Sequence, residues 1–346
     1  MANFPQYKVN PATILAPQIL YCGEHDHIDV AQDYLFIENE VRQTTKDYKL
    51  ANIAGIVCFG GTEISTKARS RLMREGVNIT FLDKYGAFLG RQIPGVASEQ
   101  AALVKLQQSM TEDQRLHLTR RMVLGVLRMI RGKITRWGNA RGRDVSNERR
   151  EMDYLLNAAT RRRDITVDGL RGMVGAGFRL YWQSFYDMGI IYAGLGADSD
   201  SVDDECPIND MLAFVKSLLE ISLYQAIASV GLDASIGIFH TTYRNQLGLV
   251  ADLALELFHL PHSIISQAVN CQLLVAKDFD DWQPGKLPPV AIAKLTEKWQ
   301  AKLAKKFTYP GATQRTTFGQ AMVIQPLQIA QYLKGEIEGY APLILR

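Results

Sequence analysis

The first ninety or so residues alternate between short apolar runs and turn residues, a pattern typical of β-structure. Strand-like runs occupy 34–38, 53–59 and 77–82, and the last is followed by a turn and a further strand at 87–91, which predicts a hairpin. Between these runs, 65–75 has helical spacing, and Gly76 follows it as a suitable C-terminal cap. The pattern therefore predicts a small β-rich unit with one helix.

After Pro94 and Gly95 the apolar positions recur at helical spacing. Thr111 is a good N-terminal cap, because two acids follow it in the first turn of a long amphipathic segment. The spacing predicts helices at 99–110, 112–130, 146–159, 168–188, 208–229, 247–258, 291–307 and 326–336. We expect an α+β fold, with a small N-terminal β-rich domain at 1–94 followed by a larger all-α domain at 95–346.

Composition narrows the class of protein. With 47% apolar and 22% charged residues, the 346-residue chain has an ordinary globular composition. Its four cysteines are scattered without a CxxC pair, which indicates reduced thiols rather than a zinc site. No signal-like start or apolar run of about 20 residues stands out. The expected location is therefore cytoplasmic, with no membrane partner.

The net charge of +3 is small, but positive charge is concentrated in one part of the chain. Residues 115–179 contain sixteen lysines and arginines against six acids. Arginine matches phosphate with two parallel hydrogen bonds, so the backbone of double-stranded or branched DNA is a plausible partner, although a solvated helix face would give the same pattern. The candidate DNA-binding residues are Arg120, Arg121, Arg128, Arg131, Arg179 and Arg244.

His240 and Asp252 are the strongest candidates for chemistry. They lie at the start of an apolar helix, twelve positions apart, and both side chains are common ligands of divalent metals. Taken alone, a histidine near a helix start is more often a core or capping residue. His25 and His27 flank Asp26, but a polar loop is the commoner explanation of that tract.

The remaining histidines are weaker candidates. We expect His117 to be solvated on its basic helix. His259 and His262 straddle a predicted helix end, where the helix dipole favours a positive imidazole.

Two motifs resemble the integrase and endonuclease family of CRISPR spacer acquisition. One is Gly237-x-Phe239-His240 with Asp252, and the other is Gly172-Met-x-Gly175 with Tyr181-Trp182. The resemblance extends from Ile53 to about Leu260. It implies metal-dependent phosphoryl transfer with Mg²⁺ or Mn²⁺, and it puts His240 and Asp252 at the family's metal and catalytic positions. It also implies a homodimer joined through the β domain and a small ferredoxin-like adaptation subunit as partner.

The chain departs from this family at two acidic positions. Val174 stands where the family has the metal-binding Glu, and Leu255 stands where a second acid follows Asp252. One carboxylate and one imidazole would hold a hard cation weakly or not at all. We therefore expect a DNA-binding integrase with impaired catalysis. The glycines at 172 and 175 are expected to keep the close backbone approach that the family's Glu exploits.

Two alternatives to impaired catalysis stay open at this stage. Glu256 could rebuild the metal site, which would make the protein an active integrase with a rearranged centre. The protein could also be a homologue from DNA repair or from a transposon, outside CRISPR systems.

Overall fold

A computed structural model describes residues 18–95, 98–188, 206–240, 247–309 and 315–344. The N-terminal part contains eight strands and one helix among these residues. They are β1 (Gln18–Cys22), β2 (Asp26–Ala31), β3 (Tyr34–Asn39), β4 (Thr44–Lys49), β5 (Ile53–Cys58), β6 (Glu63–Ile64), α1 (Thr66–Arg74), β7 (Asn78–Leu82) and β8 (Phe88–Gln92).

The eight strands form two four-stranded sheets, in the orders β1-β5-β7-β8 and β4-β3-β2-β6. The strand β5 is buried along its whole length between two parallel neighbours, which fits its continuous apolar run. The predicted hairpin is confirmed, because β7 and β8 pair antiparallel. One expectation is wrong: His27 lies in strand β2, within 3.6 Å of Glu63, rather than in a polar loop.

The rest of the chain is mostly helical, and the α+β fold class is confirmed. The Thr111 cap is also confirmed, with Gln114 completing a capping box. The helices are α2 (Ser98–Gln108), α3 (Glu112–Arg141), α4 (Ser146–Arg161), α5 (Val167–Asp187), α6 (Pro207–Val230), α7 (Gly248–Glu256), α8 (His259–Asn270), α9 (Pro289–Ala304) and α10 (Phe318–Leu333). Two short antiparallel strands, β9 (Lys306–Thr308) and β10 (Arg315–Thr317), lie between α9 and α10.

Helix α6 is the central element of the main core. It is long and apolar enough to cross a membrane by length and composition, but 61% of its most apolar stretch is buried inside the protein. It packs against strand β5 and against helices α7, α8, α9 and α10. Hydrogen bonds join it to the first sheet, since Gln225 contacts Thr80 at 3.0 Å and Ser222 contacts Tyr21 at 2.6 Å.

Several helix boundaries differ from the sequence prediction: α3 continues to Arg141 rather than ending at 130, and α8 lies where no helix was predicted. Helix α10 begins at Phe318, eight residues before Pro326, because Thr317 and Gln320 form a capping box there. The sequence predicts a helix that begins at Pro326, yet this proline lies in the middle of α10, buried against the core. The predicted helix at 291–307 ends at Ala304, and Phe307 belongs to strand β9.

Candidate functional site

The backbone turn that ends at His240 is held by the carboxylate of Asp252. One oxygen of Asp252, Oδ2, accepts from the backbone N–H groups of Ile238 and Phe239, the latter at 3.1 Å. The other oxygen, Oδ1, accepts from the backbone N–H of His240 at 2.8 Å and lies 2.7 Å from Nδ1 of its ring. The Asp252 side chain is 0% exposed, whereas that of His240 is 37% exposed. Asp252 therefore fixes the turn and orients the imidazole toward solvent.

Two arginines bind the carbonyl groups of the same turn. Arg115, in the first turns of α3, donates to the carbonyls of Gly237 at 2.9 Å and Ile238 at 3.0 Å. Arg171, from α5, donates to the carbonyl of Phe239 at 3.0 Å through Nε, and its guanidinium lies over the Phe239 ring. The turn is thus held on its N–H side by one carboxylate and on its carbonyl side by two guanidinium groups. Sequence reasoning missed this role of Arg115 and Arg171, because both are distant from the turn along the chain.

Two glycines allow the turn to pack directly on the start of α7. A Cβ atom at Gly237 would lie 2.0 Å from the carbonyl oxygen of His240, and one at Gly248 would lie 2.8 Å from the backbone nitrogen of Gly237. Any side chain would push the two segments apart. The close approach brings Asp252, one turn into α7, under the turn that it caps.

The two positions where the chain departs from the family's acids belong to one apolar cluster. Val174, on α5, is 5% exposed and is part of a buried group that includes Phe239. Leu255, on α7, packs against the same cluster. Aliphatic side chains therefore occupy both positions beside the His240 turn, and they can offer neither charge nor lone pairs to a cation.

The expectation for the two glycines beside Val174 is wrong. A Cβ atom at Gly172 or at Gly175 would meet nothing within 4 Å. No close backbone approach therefore requires glycine at either position among the described residues. The tight glycine of α5 is Gly177, where a Cβ would lie 2.7 Å from the Leu127 side chain.

Glu256 lies in a buried polar network under the C-terminal segment. Its Oε2 accepts from the backbone N–H of Leu343 at 3.1 Å, and its Oε1 lies 2.7 Å from the Tyr340 hydroxyl. That hydroxyl also contacts Oε1 of Gln325. With the Gln325 amide nitrogen directed at the Tyr309 hydroxyl, the one Tyr340 proton serves only one of these two acceptors, and a proton on Glu256 satisfies the other contact.

The environment of Glu256 agrees with a neutral carboxyl group. Burial raises its pKa to about 8, despite the opposing effect of its hydrogen bonds to Tyr340 and Leu343. A carboxyl that is protonated and committed to two partners is a poor ligand for a hard cation.

The described residues do not fit the divalent metal that the resemblance implies. They contain no group of three His, Cys, Asp or Glu side chains able to hold a metal ion. Asp252 already accepts four contacts, and Val174 and Leu255 are apolar. The arrangement instead resembles the outer part of a metal centre, in which a carboxylate orients a histidine through its second nitrogen. The His240 ring uses Nδ1 for its contact to Asp252, so Nε2 is the ring nitrogen that could bind a cation.

The candidate DNA-binding arginines fall into different environments. Arg131 is committed to Asp153 through two hydrogen bonds of 2.6 and 3.1 Å. Along α3, Arg120, Arg121 and Arg128 are half-buried, and burial lowers the pKa of Arg128. Arg179 is exposed on α5, while Arg244 lies outside the described residues. Further exposed arginines, which sequence reasoning did not single out, include a group on and just after α4: Arg149, Arg150, Arg161, Arg162 and Arg163.

Comparison with known proteins finds similarity to Cas1 proteins both in the family model and among individual relatives. The family model described as CRISPR associated protein Cas1 matches residues 20–301. The chain is 26% identical over 304 residues to CRISPR-associated endonuclease Cas1 1 of Chlorobaculum tepidum, which covers 84% of this chain and 88% of that relative.

Solved structures show the same fold. A casposase bound to integration product superimposes with a TM-score of 0.70 at 18% identity, over 93% of this chain and 92% of the casposase chain. Part of a chain from a Cas6-RT-Cas1–Cas2 complex superimposes with a TM-score of 0.71 at 16% identity, over 93% of this chain and 35% of that longer chain. At identities this low the likeness concerns the fold alone.

Proposed function

Because this chain belongs to the CRISPR-associated Cas1 family, the integrases and endonucleases of CRISPR adaptation, we propose that it is a DNA-binding member whose own catalysis is impaired. The observation that carries the proposal is the apolar cluster at Val174 and Leu255. Metal-assisted phosphoryl transfer requires a cation that neutralises charge on the phosphate and orients the nucleophile. With two aliphatic residues at the family's acidic positions, Asp252 is the carboxylate that stays beside His240, and both of its oxygens are already committed to the turn.

Under this proposal the His240 turn is a retained scaffold. Asp252, Arg115 and Arg171 keep the imidazole in a fixed place, although the cation that it would help to bind in an active relative is held weakly or not at all. The alternative in which Glu256 rebuilds the site has less support, since that carboxyl is buried, neutral and bonded to Tyr340 and Leu343.

The proposed partners are DNA, a second copy of the chain and a small adaptation subunit. Exposed arginines on α4 and α5 support contacts to a DNA backbone. The structural likeness to a Cas1 chain in a complex with Cas2 supports the small ferredoxin-like subunit as partner. The edge strand β8 supports the dimer, because Phe88, Leu89 and Ile93 are more than half exposed on or beside it. A cytoplasmic location follows from the same proposal, since such DNA lies there.

An integration assay tests the proposed function. The wild-type protein is mixed with supercoiled target plasmid, a branched or linear DNA donor and Mn²⁺, and strand transfer and DNA binding are measured in parallel. We expect DNA binding with little or no strand transfer. Robust strand transfer that His240→Ala or Asp252→Ala abolishes would overturn the proposal, and Glu256→Gln would then show whether Glu256 supplies the missing ligand.

A further inference from the structure

A small basic cavity lies where helices α3, α5 and α8 meet, apart from the His240 turn. Its volume is about 140 Å³, and Lys133, Trp137, Tyr181, His259 and His262 are among its lining residues. None of the described residues that line it is acidic. A water molecule needs roughly 10–15 Å³ of such space, so the cavity has room for a small polyatomic group with some water.

His259 is the unusual member of this cavity. It is 2% exposed, and within the described residues neither of its ring nitrogens has a hydrogen-bond partner. An imidazole always carries at least one N–H, and leaving a buried polar group unpaired costs about 1–3 kcal/mol. A buried ring with two unpaired nitrogens that faces a cavity indicates a missing partner inside that cavity.

The histidines differ from the sequence expectation. His259 and His262 lie in the first turn of α8, where the helix dipole opposes a positive charge, rather than at a C-terminal end. Burial lowers the pKa of His262 to about 4, and Nδ1 of that ring lies 3.0 Å from the Tyr181 hydroxyl. The pKa of His259 is also lowered, because burial and the nearby Lys133 and Lys302 hold it well below the usual value.

Positive charge accumulates around the cavity without a balancing acid. Lys133 takes part in none of the ion pairs among the described residues. Burial together with Arg136 and Lys302 lowers its pKa to about 8. Lys302 is itself half-buried, with its ammonium group over the Phe318 ring. A half-buried ammonium without a counter-charge is unfavourable, so an anion in the cavity would stabilise both Lys133 and the unpaired imidazole.

We propose that this cavity binds a phosphate group, with Lys133 as the charged contact and His259 as an N–H donor to a phosphate oxygen. Arg136 and Lys302 strengthen the field, and the α8 first turn, which has no side-chain cap, adds its positive dipole end. Metal cations are excluded by the surrounding positive charge. The phosphate has two chemical sources, free inorganic phosphate or a phosphate of a DNA strand, and the second rests on the proposed DNA binding.

The first experiment uses the full-length protein and inorganic phosphate. Thermal unfolding is followed while phosphate replaces chloride at constant ionic strength, for the wild-type protein, Lys133→Met and the control Lys67→Met, which alters an exposed lysine of α1. We expect saturable stabilisation of the wild type and of Lys67→Met, and at least a tenfold weaker effect in Lys133→Met. Without phosphate, Lys133→Met should unfold no earlier than the wild type, because it removes a half-buried charge that makes no ion pair among the described residues.

A second arm separates the two sources. Short duplexes with a 5′-phosphate or a 5′-hydroxyl are compared for binding to the wild type and to Lys133→Met. A preference for the phosphorylated end that Lys133→Met loses assigns the site to a DNA end. Equal binding of both duplexes, together with the phosphate stabilisation, assigns it to a free phosphate.

The proposal is overturned if Lys133→Met keeps the full response to phosphate, or if phosphate and chloride stabilise the wild type equally and the duplexes bind alike. A Lys133→Met protein that does not fold would leave His259→Phe as the second variant, which removes the N–H donor and should weaken phosphate binding in the same assay. The phosphate arm does not require DNA binding, so the failure of the proposed function and the failure of this site give different results.

Discussion

Nδ1 of His240 lies 2.7 Å from Oδ1 of Asp252, and the same oxygen accepts the backbone N–H of His240. One buried carboxylate therefore holds both the main chain and the ring of a single residue. Asp252 therefore has a structural role in the turn that does not depend on cation binding. Family motifs that align Asp252 with a metal ligand do not reveal this role.

This structural role predicts that Asp252→Asn lowers the free energy of unfolding much more than His240→Ala does. Asp252→Asn places an amide N–H₂ where backbone N–H groups point, so we expect a loss of about 2–3 kcal/mol in the free energy of unfolding. His240→Ala removes the side-chain contacts of a partly exposed ring to Asp252 and Phe239 but leaves the backbone bonds of the turn, so it should cost less than about 1 kcal/mol. Urea unfolding measures both. Equal losses for the two variants would show that the carboxylate does not hold the turn.

The neutral state of Glu256 predicts a pH-dependent stability. Since its folded pKa is raised from 4.5 to about 8, its contribution is fully present below about pH 4.5 and is lost as the pH rises to about 8. The loss is on the order of 4 kcal/mol. Glu256→Gln keeps a donor for Tyr340 and an acceptor for Leu343 but does not titrate. Its free energy of unfolding should therefore rise relative to that of the wild type as the pH increases across this range.

Denaturant unfolding between pH 5 and pH 8.5 checks the prediction for Glu256. Glu297→Gln, which changes an exposed acid on α9, serves as the control and should follow the wild type. A constant difference between Glu256→Gln and the wild type over the whole range would argue against a protonated Glu256.

Restoring the acids should restore cation binding. Val174→Glu alone buries a carboxylate in an apolar cluster, so it should destabilise the protein in chelator by a few kcal/mol. We expect Mn²⁺ to recover part of this loss, and more in Val174→Glu/Leu255→Asp, where two carboxylates would face the cation. Stabilisation of about 2.7 kcal/mol corresponds to Mn²⁺ at a hundred times its dissociation constant.

Thermal unfolding with and without Mn²⁺ measures this recovery. The matched control is Val174→Ala/Leu255→Ala, which opens the same cluster without charge and should not respond to the metal. A wild-type protein stabilised by Mn²⁺ as strongly as the double acid variant would contradict the impaired site.

The exposed arginines of α4 predict salt-dependent DNA binding. If Arg149 and Arg150 each contact a phosphate, Arg149→Gln/Arg150→Gln should reduce the log–log salt slope by about 2, because each phosphate contact contributes about 0.9. The loss should be similar for unrelated DNA sequences. Arg74→Gln, an exposed change on α1, should leave the slope unchanged. Binding that is insensitive to salt would refute contacts to the DNA backbone.

The exposed side chains at the β8 edge predict a dimer. Leu89 is 66% exposed, so Leu89→Glu should convert a dimer to a monomer at micromolar concentration without unfolding the domain. Val41 is 70% exposed in the turn after β3, and Val41→Glu should leave the dimer intact. Light scattering gives the masses. A monomeric wild-type protein would contradict the proposed dimer. A Leu89→Glu variant that stays dimeric would show that the dimer contact does not lie at the β8 edge.

The sequence by itself determined the fold class and the principal helices and strands, because local patterns of apolar spacing, caps and turn residues decide them. The Thr111 cap and the β7–β8 hairpin are examples. The boundary at Pro326 was misplaced because a proline can lie within a helix when caps elsewhere start it and the core covers it. The motif around His240 was likewise readable, since its residues lie close together in the chain.

Tertiary structure alone decided what those residues touch. Arg115 and Arg171 reach the His240 turn from positions 122 and 68 residues away along the chain. Val174 and Leu255 meet in one cluster only in the packed structure. Packing of α8 likewise buries His259 with both ring nitrogens unpaired among the described residues, and it brings Lys133 and Lys302 near that ring. Burial and partners depend on packing between distant segments, so they set the charge state and the chemical duty of each side chain where local pattern cannot.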